Sequence, residues 1–336
     1  MKYISVVVDD LYSNNNLFSS NTPLNRDDCL LQYIELKNKL LKYRIDISTY
    51  DINSIENSSI VFFLNAPTLT NRYYKKAVIL KKKIIIIENE HFDIHKPNRN
   101  IENLKGVTKV FSYRPYKYKN GIYLNYSFNF SRDKKSFDIK RKKIFSCLIS
   151  NNKMYSISDE LYSERKKIIK WFNKNAVKDF ALYGGGWDKV VLKSNNLLFK
   201  LINRLNINSK RLNVYRGKCK SKSEILSKSK FSFCFENSNT QGWITEKLFD
   251  VMRNNCVPIY YGTSEVKKYV PSDLFINYEE FNSVKDLYGF LKGMSSKTHN
   301  EYLIKINSFI NNLDNKFPFH LEYHNKTLIN FIIKEI

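Results

Sequence analysis

Residues 231–262 read FSFCFENSNTQGWITEKLFDVMRNNCVPIYYG, and the order of textures in that stretch decides the fold. Residues 231–235 are apolar with little alternation, as in a strand buried on both faces of a parallel sheet. A polar loop carrying Gly242 follows, Thr245-Glu246-Lys247 opens an amphipathic segment, and residues 256–261 form a second apolar run. Strand, loop, helix and strand in that order make a βαβ unit. Reversing a chain takes only about two to five residues. This loop instead ends by setting a carboxylate and an ammonium on the first turn of a helix, which is more chemistry than a turn requires.

The same alternation extends in both directions. Upstream, KIFSCLIS (143–150) reads as strand and DELYSERKKIIKWFNK (159–174) as helix. KDFALYGGGW (178–187) reads as strand and glycine loop, and KSEILSKSK (222–230) as helix. Nearer the N-terminus, ISVVVDD (4–10), SSIVFFLN (58–65) and KKKIIIIENE (81–90) read as buried strands. Residues 26–44 between the first two have helical spacing, with Leu30, Leu31, Ile34 and Leu41 on or near one face. Residues 98–143 show weak periodicity and are assigned to loops and a crossover. The expectation is an α/β protein of two Rossmann-like domains, 1–140 and 141–336, meeting in a cleft at the carboxyl ends of their strands. The last helix is free to return to the N-terminal domain.

A chain of 336 residues, 43% of them hydrophobic, has ample core for two domains. Its 56 Lys+Arg against 32 Asp+Glu give a formal charge of +24, which favours an anionic partner: nucleic acid, an acidic membrane surface or a phosphorylated substrate. The lysines are scattered, and no helix-turn-helix, ribonucleoprotein or zinc-finger pattern appears, so nucleic acid is not expected as a partner. Five cysteines without a C-x-x-C pair argue against a disulfide framework or cysteine-held zinc and for a reducing compartment. The N-terminal MKYISVVVDDLY has too short an apolar run for a signal sequence, and nothing approaches the roughly 20 apolar residues of a membrane span.

In the opening stretch, Glu236 and Asn237 emerge at the carboxyl edge of a strand, the usual ligand side of an α/β sheet. Thr245 stands where an N-cap belongs, with Glu246 and Lys247 in the first turn, where free N–H groups and the helix dipole favour an anion. A lysine there opposes the dipole, and an incoming diphosphate would explain it. Gly184, Gly185 and Gly186, directly after a strand, let backbone approach a ligand closely. Arg165, near the start of a helix, carries the planar fork suited to a diphosphate.

These residues carry a resemblance. FCFENSNTQGWITEKLFD, followed by VPIYYG and YVPSDLFI, resembles the signature region of the α1,3-fucosyltransferase family. YRGKCKSKSEILSKSKFSF, the SERKKIIKWF helix and YGGGW are similar to the family's approaches to it, so the likeness covers about residues 144–280. It implies a GT-B fold, with an N-terminal acceptor-binding domain and a C-terminal domain binding GDP-fucose. It also implies inverting transfer of fucose, without a cofactor, to N-acetylglucosamine of a galactose-containing glycan. Carried over, Arg165 and Lys247 would neutralise the diphosphate and Glu246 would accept from the ribose hydroxyls. Asn237, Trp243, Thr245, Gly184 and Gly185 would complete the donor site. Tyr261 stands where the family commonly has tryptophan and Trp243 where it commonly has tyrosine, both keeping an aromatic face.

Inversion in one displacement needs a base for the acceptor hydroxyl. The resemblance places it after an N-terminal strand, at Glu88, with Glu90 as the alternative. No metal is expected. His91 and His95, and His320 and His324, are each four apart, but the first pair follows a strand and lacks the metalloprotease glutamate, and no D-x-D triplet is present. Two other classes stay open: a GT-B transferase of another nucleotide sugar, and, behind it, a basic nucleic-acid-binding protein. The expected location is the cytoplasm, with charge drawing the protein to the inner face of an anionic membrane.

Overall fold

The computed structural model describes residues 1–125, 142–153, 155, 157–189 and 212–336. Contacts divide the chain into a unit of Met1–Ser131 with Leu313–Ile336 and a unit of Arg132–Asn312. The boundary expected at 140/141 lies outside the described residues.

In the first unit, β1 (Lys2–Val7), α1 (Leu31–Leu41), β2 (Ile45–Thr49), β3 (Ile60–Leu64), α2 (Arg72–Ile79), β4 (Lys83–Ile87), β5 (Val107–Ser112) and β6 (Gly121–Tyr123) follow one another. The strands form a parallel sheet in the order β2-β1-β3-β4-β5-β6. β4 sits inside this sheet, which is why Ile84–Ile87 can be four isoleucines in a row: alternate side chains enter opposite cores. Phe62, Ile85 and Ile87 pack on the α1 side with Leu36 and Leu40, whereas Val61, Ile84 and Ile86 pack with Tyr74 and Ala77 of α2. α1 is shorter than its periodicity suggested, because Asp27 and Asp28 take left-handed φ values before it. β2 and β5–β6 lie where no strand was expected. Their polar positions hid them: in β2, Asp46 and Ser48 alternate with isoleucines and are satisfied by Lys37, whose Nζ lies 2.5 Å and 2.7 Å from them.

The second unit runs β7 (Ile144–Ile149), α3 (Tyr162–Asn175), β8 (Phe180–Tyr183), α4 (Lys222–Lys228), β9 (Ser229–Phe235), α5 (Glu246–Arg253), β10 (Val257–Tyr261), β11 (Ile276–Asn277), α6 (Val284–Gly293) and α7 (Ser296–Asn312). Its sheet, also parallel, has the order β11-β10-β9-β7-β8. β9, flanked on both sides, is buried along nearly its whole length. Phe172 of α3 stacks on Phe180 at 4.6 Å and meets Phe233 edge-on at 5.9 Å, which fixes α3 over β8 and β9.

A last helix, α8 (Leu321–Glu335), belongs to the first unit. Leu328, Ile329, Phe331 and Ile332 enter the core shared with α1, and Phe331 meets Phe111 of β5 edge-on at 5.3 Å.

Candidate functional site

The residue that organises the carboxyl edge of the second sheet is Glu236, the first residue after β9, with no exposed surface. Its carboxylate accepts from the Thr245 N–H at 2.8 Å, the Thr245 hydroxyl at 2.7 Å and the Lys247 ammonium at 3.0 Å. Lys247 also donates to Thr245 Oγ1 at 2.7 Å. Thr245 is the N-cap of α5, as expected, but its hydroxyl is engaged by Glu236 and Lys247 and makes no capping bond. The first turn of α5, uncapped by Thr245, therefore starts beside an ammonium held in place from beneath, a corner suited to an anion. Gly262 makes room for this: a Cβ there would lie 2.9 Å from Glu236 Cγ.

Glu246 borders that cluster, with Lys247 and Thr245 both acting on its carboxylate. Its side chain is 37% exposed and 3.7 Å from Lys222 Nζ, which also pairs with Asp250 at 3.2 Å. Burial alone would raise its pKa, but Lys247 and Lys222 hold it down to about 2, so it is a carboxylate at any physiological pH and a ready acceptor for hydroxyl groups.

Arg165 does not reach outward. It is buried, and its Nη2 donates to the carbonyls of Phe235 and Glu236, both at 2.6 Å, and to Asn237 Oδ1 at 3.0 Å. Its Nη1 reaches Ser150 Oγ at 3.4 Å. Arg165 thus clamps the end of β9, and its positive charge lies directly behind the loop. Asn237, half-buried, lends its Oδ1 to that clamp, and its own carbonyl accepts from the Leu161 N–H at 3.1 Å. Trp243, expected to line a ligand site, is 2% exposed and packs inside the loop it belongs to.

The glycine loop lies at the carboxyl end of β8, two strands from β9 and hence about 10 Å along the same edge. Gly184 has φ +137°, and a Cβ would meet Ser150 O at 2.0 Å, so only glycine fits. Gly185 N donates to Asn151 Oδ1 at 2.7 Å, and Trp187 Nε1 to Ser150 O at 2.6 Å. The exposed Lys218, which the sequence reading passed over, runs beside Gly185: its Cε is 3.5 Å from where a Cβ would stand. A polar cavity of about 550 Å³ is lined by Asn239 and Gln241 of the β9–α5 loop together with Thr263, Ser264, Glu265 and other residues.

In the first unit the two glutamates after β4 differ sharply. The Glu88 side chain has no exposed surface. It accepts from Arg114 Nη2 at 2.6 Å and Nε at 2.9 Å, Ser112 Oγ at 2.5 Å and Tyr118 OH at 3.2 Å. Burial pushes its pKa up against the pull of Arg114. These bonds enclose the carboxylate and tie β4 to β5. Glu90, the alternative, is half-buried on the loop beyond. His91 is fully buried with its pKa pushed down to about 4 by that burial. His95 instead bonds the Ala66 carbonyl at 2.8 Å through Nε2. Among the described residues no cluster of His, Cys, Asp and Glu has the geometry to hold a metal ion.

Residues 140–305 match the model of "Glycosyltransferase family 10 (fucosyltransferase) C-term". The Alpha-(1,3)-fucosyltransferase FucT of Helicobacter pylori is 33% identical over 114 residues, 33% of this chain and 23% of that protein's own length. The chain thus aligns with about a quarter of that relative. Over 99% of the chain, a crystal structure of an alpha1,3-fucosyltransferase with GDP-fucose superposes with a TM-score of 0.56 at 15% identity, covering 90% of that structure. Anabaena Alr3699/HepE in complex with UDP-glucose superposes with 0.60 at 9% identity, covering 99% of this chain and all of the other. Two parallel-sheet α/β domains of this kind make a GT-B fold. Within that fold, it is the segment 140–305 that is similar to glycosyltransferase family 10, the fucosyltransferases.

Proposed function

We propose that this chain transfers fucose from GDP-fucose, with inversion, to a glycan hydroxyl, in α1,3 linkage to N-acetylglucosamine of a galactose-containing acceptor. The observation that carries the proposal is the Glu236–Thr245–Lys247 cluster at the uncapped start of α5, in the segment that matches the fucosyltransferase family. As the sugar leaves, negative charge gathers on the outer phosphate. A preorganised ammonium and N–H dipoles there lower the barrier by about 3 kcal/mol per contact. Glu246 receives the ribose hydroxyls, the glycine loop with Lys218 takes the far end of the nucleotide, and Arg165 and Asn237 hold the β9 end rigid from behind. The half-buried Glu90 of the first unit, rather than the sealed Glu88, removes the acceptor proton. Neither metal nor cofactor has a step in this scheme. The charge of +24 supports a peripheral place at the cytoplasmic face of an anionic membrane, which flotation with anionic vesicles at low and high salt tests: no binding at low salt would refute it. Among the described residues no helix is long and apolar enough to cross a membrane.

The test of the donor is thermal unfolding with GDP, GDP-fucose, UDP and CMP. A ligand at about 100 times its Kd adds about 2.7 kcal/mol. Guanosine ligands alone should raise the midpoint, and Lys247→Ala should abolish the rise. A rise with UDP alone would replace the donor by a uridine sugar, the ligand type of the Anabaena protein.

A further inference from the structure

Glu90 sits on a loop that two asparagines hold by its backbone. Asn65, the first residue after β3, adopts φ +68°, a left-handed conformation that asparagine tolerates better than most residues. Its own N–H donates to the Ile87 carbonyl at 2.8 Å, continuing the β3–β4 ladder past the end of the strand. That turn aims the side chain across the edge of the sheet. Its Oδ1 there accepts from the Asn89 N–H at 2.9 Å, the Glu90 N–H at 2.7 Å and Asn98 Nδ2 at 3.1 Å.

Asn98, with no exposed surface, completes the hold. Its Nδ2 also donates to the Glu90 carbonyl at 2.8 Å, and its Oδ1 accepts from the Ala66 N–H at 2.8 Å. Its own carbonyl accepts from Arg114 Nη2 at 2.7 Å, and the same guanidinium binds Glu88. The peptide groups on both sides of the Glu90 Cα are therefore fixed, the N–H by Asn65 and the carbonyl by Asn98, each reaching in from another part of the unit. The Glu88–Arg114 pair is the buried anchor of the chain of contacts. The carboxylate itself is engaged by the next peptide group, the His91 N–H donating to Glu90 Oε1 at 2.9 Å, so the direction of the side chain is tied to the backbone that Asn65 and Asn98 hold.

We propose that Asn65 and Asn98 are positioning residues for the reaction, fixing the direction in which the Glu90 carboxylate meets the acceptor hydroxyl. The proposal rests on the reading of Glu90 as the base. A displacement of about 1 Å in a reacting group costs on the order of 100-fold in rate, so backbone held by amide side chains is worth its own loop architecture.

The experiment compares Asn65→Gly, Asn65→Asp and Glu90→Gln for kcat and KM with GDP-fucose, alongside thermal unfolding with and without GDP. Asn65→Gly keeps the left-handed turn and deletes the acceptor oxygen; Asn65→Asp keeps both. The glycine variant should lose about 100-fold in kcat, with KM for GDP-fucose and the GDP-induced shift unchanged, and the aspartate variant should recover kcat to within about fivefold. A turn residue with no further role would leave the glycine variant fully active. Full activity there, or an aspartate variant as slow as glycine, overturns the proposal. Asn98→Ala, which frees the Glu90 carbonyl, carries the same expectation as Asn65→Gly and replaces it if that variant does not fold. If Glu90→Gln stays active, the base assignment falls and this inference with it. If Glu90→Gln is inactive while Asn65→Gly is not, only the positioning role falls.

Discussion

Replacing Glu236 by glutamine changes one buried atom's chemistry and little of its shape. The carboxylate now accepts three hydrogen bonds, from the Thr245 N–H, the Thr245 hydroxyl and Lys247. A glutamine oriented with its carbonyl toward the Thr245 N–H must turn its NH2 toward the hydroxyl and the ammonium. The hydroxyl can rotate to accept, but the ammonium at 3.0 Å cannot. One charge-assisted bond is therefore lost, typically about 1.5–3 kcal/mol, and a cation is left beside a donor. Lys247 is 26% exposed and recovers some hydration, so the expected loss is about 2–3 kcal/mol. In a unit this size each kcal/mol moves the midpoint by about 2–4 °C, which gives a fall of about 5–10 °C by differential scanning calorimetry. GDP affinity should drop about tenfold in parallel, because the ammonium that greets the phosphate has lost its anchor. A midpoint within about 1 °C of the parent would refute the account of the cluster, and an unchanged midpoint shift with GDP would separate the cluster from the nucleotide.

Other outcomes follow from the first unit. Glu88→Gln should lower its stability by about 3–5 kcal/mol by stranding the buried Arg114, whereas Glu90→Gln should leave unfolding unchanged and reduce kcat at least about 100-fold; the opposite pattern in calorimetry and turnover would return the base to Glu88. His91 and His324 are buried and neutral, burial holding both near pKa 4 against an ordinary 6.5. Below about pH 6.5 the unfolded chain takes up protons that the folded unit refuses until about pH 4. Stability should therefore fall with falling pH across that window, by about 2 kcal/mol per histidine between pH 7.5 and 5. Urea unfolding of the parent and of His324→Gln over that range checks this, and equal slopes for the two proteins would contradict it.

The legible parts of the molecule were those in which local pattern and environment agree. β4 and β9 are apolar runs because each is flanked by strands, and the helix opening at Thr245 announces itself through T-E-K. β2 escaped notice because Asp46 is satisfied by Lys37, nine residues earlier in α1, a pairing that no periodicity encodes. Glu236 was placed at the ligand edge of its strand, but its organising role escaped for the same reason. As a single letter it is a glutamate at a strand end, and its two partner residues, Thr245 and Lys247, lie nine and eleven residues onward, across a loop. The choice between Glu88 and Glu90 turns on Arg114 and Ser112, whose convergence on β4 depends on the pairing of β4 with β5.

The assignment of α8 to the first unit also sets an order of events in synthesis. All of the second unit, through Asn312, leaves the ribosome before the helix that supplies Leu328, Phe331 and Ile332 to the first core. The second unit can close while the first still lacks one wall, its sheet exposing Phe111 and its neighbours on the side α8 will cover. In that interval the N-terminal half is the aggregation-prone one. Mutations along α8, remote in sequence from everything they support, should be felt as poor yield of the whole protein rather than as altered chemistry.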